Sequence, residues 1–310
     1  AYDDLETEVG EVTDSLGGSG TFAGIAAAFH ASRRLDSGGT LPVGLVCAVG
    51  DDFREEDFNL LRKAGLNLEG IEIIEGGRTF RWHGRYEGDM GQAVTIETQQ
   101  NVLDGYEPKV PAAWWSPRVL FLANNHPSIQ SHVLNQCEGA KFIALDSMNL
   151  WINIAFEELS SVLRRVNMAI LNDTEVRMIA KDENLIRAGE SIRDGSALTG
   201  GTEAGAGPSI LIIKKGEHGC VAISDNAHMA LPAFPTSEII DPTGCGDSFA
   251  GTLLTFLSES ENLQPSYDEL HNALVHATVT ASFTISAFGT EGMIALDRGE
   301  YHARLDAYRR

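Results

Sequence analysis

The chain has 310 residues, 43% of them hydrophobic and 22% charged, with a formal net charge of −21. That length suits one large α/β domain with a sizeable core, and the ordinary apolar and charged fractions fit a soluble globular protein. The acidity argues against nucleic acid and anionic membranes as partners. No apolar run reaches the ~18–20 residues of a membrane span.

The acidic opening, Ala1-Tyr2-Asp3-Asp4, lacks the basic-then-apolar form of a signal peptide. The four cysteines (Cys47, Cys137, Cys220, Cys245) form no C-x-x-C pair, so a reducing cytoplasm is expected rather than a disulfide framework or zinc site. The excess of acids over lysines also suits a saline cytoplasm.

In chain order, residues 5–16 are mostly polar, with Glu6, Glu8, Glu11 and Asp14. A glycine-rich turn, Gly17-Gly18-Ser19-Gly20, leads into a helix over 21–34 that sets Phe22, Ile25, Ala26 and Phe29 on one side. Residues 45–49 read as a buried strand and 55–64 as a helix. Residues 78–98 alternate through Phe80, Trp82, Tyr86, Val94 and Ile96, with a hairpin turn at Glu87-Gly88-Asp89-Met90-Gly91. Continuous apolar runs at 119–123, 142–145, 168–171 and 210–213 predict strands covered on both faces. Helical patterns at 128–137, 156–166 and 175–180 lie between them, and 199–208 is a loop. Strand–helix alternation of this kind predicts a three-layer α/β fold with a mainly parallel central sheet. The segments at about 5–17 and 76–100 fit a small β-sheet lid, with Arg81, Trp82 and Arg85 crowded on one strand, or else a solvated edge extension.

The most informative stretch is Asp241-Pro242-Thr243-Gly244-Cys245-Gly246-Asp247, followed by the helical run Phe249, Leu253, Leu254, Phe256, Leu257. Glycines let a backbone turn aim its N–H groups at one point, and a helix start adds unpaired donors and the positive dipole end. Together they make an anion cradle suited to phosphate. A carboxylate beside phosphate is electrostatically unwelcome unless it accepts a proton from the attacking hydroxyl, which is the role expected of Asp247. Its plainer alternative is a helix-capping aspartate. Cys245 is read mainly as a small residue filling a tight turn, with a redox role as the lesser alternative.

The glycine turn at 17–21, Asn172-Asp173-Thr174-Glu175 at a strand end, Lys214-Lys215-Gly216-Glu217-His218-Gly219 and the 241–251 motif follow one another as in the ribokinase-like (PfkB) carbohydrate and nucleoside kinases. The chain resembles that family from Asp3 to about Gly289. The resemblance implies a single ribokinase-like kinase domain over 1–310, an ATP-dependent transferase acting with Mg²⁺, and it admits a monovalent cation. By the same resemblance, Asp247 is the base, and the backbone of Gly244, Cys245 and Gly246 is the anion hole. Asp3, Gly17, Gly18, Arg81 and Trp82 bind the acceptor. Thr243, Lys214, Gly216, Gly219, Phe288 and Gly289 border the nucleotide, with residues 276–289 supplying the adenine pocket. Asn172 and Glu175 organise the metal through water, although a plain capping box is the alternative there. Nine histidines show no H-x-x-H or H-x-x-x-H spacing, so no metal cage is expected.

The chain departs from the family in three places. Phe22 lies where an asparagine is frequent, Cys245 replaces the usual alanine, and the strand leading into the early aspartate is expected to be absent, at a cost in stability. A sugar or sugar-like acceptor is expected. A nucleoside is the alternative, through stacking on Phe80, Trp82 or Tyr86, and a non-catalytic sugar or nucleotide sensor is the rival outside catalysis. A dehydrogenase is disfavoured because Gly18-Ser19-Gly20 lacks the context of a dinucleotide fingerprint. The open edges of the lid also suggest a homodimer.

Overall fold

A computed structural model describes residues 1–32, 42–88, 90–91, 93–225, 228–261 and 263–310. The expected helix end at Arg33 and Arg34, and Asp89 of the expected turn, lie outside the described residues. The chain resolves into two compact units. One comprises Ala1–Pro111, Phe234–Phe256 and Asn272–Arg310; the other comprises Ala112–Ala233 and Leu257–His271.

The first unit opens with β1 (Tyr2–Thr7), β2 (Gly10–Leu16), α1 (Ser19–Ala31), β3 (Val43–Gly50), α2 (Glu55–Lys63), β4 (Leu66–Ile74), β5 (Arg81–Tyr86) and β6 (Ala93–Gln99). Strands β2-β1-β5-β6 form a four-stranded sheet in that order, and β3 pairs with β4 in a parallel two-stranded sheet. β1 runs parallel to β5, placing Tyr2 beside Arg81 and Asp3 beside Trp82. Side chains alternate across a strand, so these two pairs face opposite sides. Asp3 thus sits inside a strand, and β3 is paired on one edge only within its own sheet.

The second unit holds β7 (Val119–Leu122), α3 (Pro127–Gln136), β8 (Phe142–Leu145), α4 (Asn149–Ile154), α5 (Phe156–Leu163), β9 (Met168–Asn172), α6 (Asp173–Ala180), α7 (Leu185–Arg193), β10 (Ile210–Lys214), β11 (Cys220–Ser224) and β12 (His228–Leu231). Its sheet runs β12-β11-β10-β9-β8-β7. β7 to β10 are parallel, whereas β11 and β12 pair antiparallel. Met168, Ala169, Ile170, Leu171, Leu211, Ile212 and Ile213 are fully buried, as the unbroken apolar runs require when both sheet faces are covered. The sheet's parallel part ends at Asp146, Asn172 and Lys214, the polar residues that close the three apolar runs.

Helix α8 (Cys245–Leu257), α9 (Tyr267–Thr284), α10 (Glu291–Ile294) and α11 (Arg298–Tyr308) complete the chain. In the first unit α8 approaches α1 so closely that a Cβ on Gly251 would overlap the backbone of Ala23. A small residue there lets the two helix backbones meet. Among the described residues, no helix is long and apolar enough to cross a membrane.

Candidate active site

The phosphate-type turn of the first unit is built around Asp241, which is completely buried. One carboxylate oxygen accepts the Thr243 amide at 2.9 Å, and the other accepts the Gly289 amide at 2.9 Å. Asp241 therefore clamps the turn to the segment after α9. Gly244 follows with φ of +77°, a left-handed conformation that only glycine adopts cheaply. A Cβ at this position would overlap the Phe22 ring. Phe22, the residue standing in place of the family's frequent asparagine, is thus a buried backing for the turn.

α8 begins immediately afterwards. The Ser248 amide donates to the Gly244 carbonyl at 2.8 Å, starting the helical ladder. Gly246 lies in the first turn, where amides precede any helical acceptor, and Asp247 is the turn's acidic residue. The Cys245 amide donates to the Pro242 carbonyl at 3.2 Å, so this N–H points back into the turn. The Cys245 thiol donates to the Ala281 carbonyl at 3.6 Å. Burial, with Asp241 and Asp247 nearby, pushes the thiol well above its ordinary range. A protonated thiol that packs in a tight turn is the plainer of the two roles expected of Cys245.

Asp3 is buried on β1 and accepts from the Gly18 amide. Gly17 leaves room for it, since a Cβ on Gly17 would overlap the Asp3 carboxylate. Gly18 also caps α1, with φ of 91°. Burial pushes the Asp3 carboxyl up to about 7, with the charges of Asp241 and Asp247 adding in the same direction. Asp3 thus feels the charges of both acids of the phosphate turn.

Trp82 shares Asp3's face of the sheet. Its ring lies across Gly84, where a Cβ would overlap it, and its indole N–H donates to the Thr95 hydroxyl at 3.2 Å. Tyr86, four residues on, is buried and accepts a hydrogen bond from the Thr243 hydroxyl at 3.1 Å. Arg81 is on the opposite face. It stacks over the Tyr2 ring, 5.3 Å from its centroid, and pairs with Asp14 and Asp52. The structure therefore brings Asp3, Gly17, Gly18, Trp82, Thr243, Gly244 and Asp247 into one neighbourhood and leaves Arg81 outside it.

Phe288 and Gly289 belong to the first unit as well. The Phe288 ring faces Gly10 of β2, and a Cβ on Gly289, at φ of 54°, would overlap the Ser15 hydroxyl.

The second unit carries a separate polar cluster. Asn172 caps α6 in a complete capping box: its carbonyl oxygen accepts the Glu175 amide, while Glu175 accepts the Asn172 amide at 2.8 Å. The Asn172 side-chain amide donates to the other Glu175 oxygen at 2.7 Å. Burial pushes the Glu175 carboxyl up to about 8, with Asp146 and Asp173 adding to the rise and Lys214 opposing it. The Lys214 ammonium meets the buried Asp146 carboxylate at 2.8 Å. Gly216 and Gly219 form the next turn at φ of 54° and 80°, and a Cβ on Gly219 would overlap the Leu231 carbonyl. Lys214 is thus directed to Asp146 at the end of β8.

Sequence reading gives no role to Asp146 or Asp241. Asp146 closes an apolar strand run, as Asn172 does, and that position is the signal that identifies it. Asp241 stands in the motif, but its clamp on Gly289 joins residues 48 apart in sequence.

Residues 2–295 match the family model described as pfkB family carbohydrate kinase. A cytidine kinase of Thermococcus kodakarensis is 28% identical over 232 residues, which are 72% of this chain and 76% of that one. Among solved structures, the Burkholderia thailandensis nucleoside kinase in complex with inosine superposes with a TM-score of 0.73 at 16% identity, covering 99% of this chain and 95% of that one. Ribokinase from Thermotoga maritima gives 0.68 at 18% identity, covering 98% and 96%. The fold is therefore ribokinase-like α/β, and the chain belongs to the pfkB family of carbohydrate kinases.

Proposed function

We propose that this kinase transfers the γ-phosphoryl group of ATP to a ribose hydroxyl of a nucleoside. The observation that carries this reading is the shared face of Asp3 and Trp82 on β1 and β5, with Asp3 in electrostatic reach of Asp247. A carboxylate accepts hydrogen bonds from a sugar's vicinal hydroxyls. A Trp ring pinned across Gly84 offers a flat apolar surface for a base, which a free sugar would leave unused. The likeness to a cytidine kinase supports the same choice over a free sugar.

In this scheme Asp247 accepts the proton of the attacking hydroxyl as its oxygen bonds to the γ-phosphorus. The bond to the β–γ bridging oxygen breaks, and ADP leaves with that electron pair. The Gly244 and Gly246 amides and the start of α8 stabilise the negative charge on the transferring group.

The donors at Asn172 and Glu175 fit a hydrated Mg²⁺. Each Glu175 oxygen accepts one hydrogen bond and keeps a further lone pair, and this ion binds through few protein carboxylates and several waters. Bound there, Mg²⁺ would neutralise phosphate charge.

The test is ADP release with Mg²⁺-ATP across a panel of nucleosides and free sugars, with Asp247→Asn in parallel. Turnover of a nucleoside, reduced about 10²–10⁴-fold in the variant, is expected. Turnover of free sugars alone overturns the acceptor assignment. Turnover that survives the substitution overturns the role of Asp247.

A further inference from the structure

The first unit contains a hydrogen-bonded chain that links the acceptor face to the phosphate turn. It runs from the Tyr86 hydroxyl on β5 to the Thr243 hydroxyl at 3.1 Å, and from the Thr243 amide to Asp241 at 2.9 Å. Asp241 closes it on the Gly289 amide at 2.9 Å. Tyr86 and Asp241 are buried, and Thr243 is half-buried. Tyr86 lies on the same face as Trp82 and Asp3, so the strand that presents the acceptor surface also holds the residue before Gly244.

We propose that Tyr86 is a positioning residue: through Thr243 it sets the phosphate turn against the acceptor face, so that Gly244, Gly246 and Asp247 are aligned when the acceptor is bound. This inference rests on the kinase reading of Asp247 above.

The chemistry of the two hydroxyls supports a role beyond filling space. An aromatic ring alone would pack at this position, yet the phenol oxygen is spent on one side chain of the turn. With Thr243 as donor, the phenol proton has no acceptor among the described residues, and it can meet a group held on the acceptor face. Burial, together with the charges of Asp241, Cys245 and Asp3, raises the phenol well above its ordinary range, so it stays protonated as a donor. Asp241 holds the turn by accepting from the Thr243 and Gly289 amides and from the Thr243 side chain, and the Tyr86–Thr243 bond is a side-chain link from the sheet to the turn.

The experiment compares Tyr86→Phe, Thr243→Val, Thr243→Ser and the Tyr86→Phe/Thr243→Val pair, reading kcat, ATP affinity and melting temperature, with Asp247→Asn as reference. Loss of one hydrogen bond of this kind predicts about a five- to tenfold fall in kcat for Tyr86→Phe, and at least as large a fall for Thr243→Val, which also loses its side-chain bond to Asp241. The double variant should be no slower than Thr243→Val, because the bond that Tyr86→Phe removes is already lost there. Thr243→Ser keeps the hydroxyl and should be faster than Thr243→Val, and ATP affinity should be unchanged in Tyr86→Phe. A double variant whose losses multiply, or Tyr86→Phe with wild-type kcat, overturns the proposal. Should Tyr86→Phe fail to fold, the two Thr243 variants decide: a Thr243→Val slower than Thr243→Ser supports it, and equal rates refute it. If Asp247→Asn retains full activity, the kinase reading of that residue fails instead, so the two failures are distinguishable.

Discussion

Replacing Gly244 by alanine tests the phosphate turn most directly. At φ of +77° a side chain costs about 1–2 kcal/mol in the backbone alone. The new Cβ would also overlap the Phe22 ring, which is 1% exposed and cannot swing away into solvent. Overpacking of this kind adds about 1–3 kcal/mol. The sum, roughly 2–5 kcal/mol, is a large share of a typical stability of ~5–15 kcal/mol. The variant should fold at room temperature yet melt roughly 5–15 °C lower. A shift of the turn by about 1 Å should also cost on the order of 10²-fold in kcat. Gly76→Ala is the control, because Gly76 has φ of 72° but open space around it and bears only the backbone cost. Calorimetry and a coupled ADP-release assay on the two variants separate strain from overlap, and Phe22→Leu added to Gly244→Ala should recover part of the melting temperature. If Gly244→Ala melts no lower than Gly76→Ala and turns over normally, the packing of Phe22 under the turn is not what shapes it.

Asp3→Asn should bind acceptor poorly yet melt higher than wild type at alkaline pH. Burial holds the folded carboxyl at about 7 while the unfolded one titrates near ~3.9, so stability is fully present at low pH and is lost as pH rises between the two. Thermal melts at pH ~4 and ~8 check this, and a difference between wild type and variant that ignores pH refutes it. Glu175→Gln should raise the Mg²⁺ needed for half-maximal rate about 10–100-fold while leaving the acceptor KM unchanged. An unaltered Mg²⁺ titration removes Glu175 from the metal's surroundings. Cys245→Ala should leave kcat unchanged, and mass spectrometry should find Cys245 of the wild type unalkylated by iodoacetamide at neutral pH, since burial and Asp241 keep its thiol protonated. Fast labelling there would revive a redox role.

The sequence carries the fold where the hydrophobic period is unambiguous. The apolar runs at 142–145, 168–171 and 210–213 form β8, β9 and β10, because a strand covered on both faces needs no polar alternation. β12 has no such signature: it is short and alternates buried and exposed residues, and the antiparallel pairing of β10 with β11 and of β11 with β12 depends on contacts distant from any local pattern. The motif at 241–247 is legible as a glycine turn before a helix, since φ above zero and a helix start are both written locally. What that turn rests on is not. Phe22, Gly289 through Asp241, and Tyr86 through Thr243 reach it from three separate segments. Adjacency groups Arg81 and Trp82 as acceptor residues, yet strand alternation sends neighbours to opposite faces, and Arg81 goes to Tyr2, Asp14 and Asp52.

Three carboxylates gather in the first unit, with Asp241 and Asp247 both within electrostatic reach of Asp3. Like charges in a poorly hydrated site oppose each other's ionisation, so a fold selected only for stability would not collect them. Their surroundings divide the labour. Asp241 has an amide on each oxygen and is committed to geometry. Asp3 takes the Gly18 amide and is pushed up to about 7, which leaves it able to exchange hydrogen bonds with hydroxyls near neutral pH. Asp247 stands in the first turn of α8, where the helix dipole favours negative charge. In the proposed mechanism it is the carboxylate that takes the proton of the attacking hydroxyl. The repulsion is therefore tolerated for what the cluster does, and the substitutions that relieve it should stabilise the protein while disabling it.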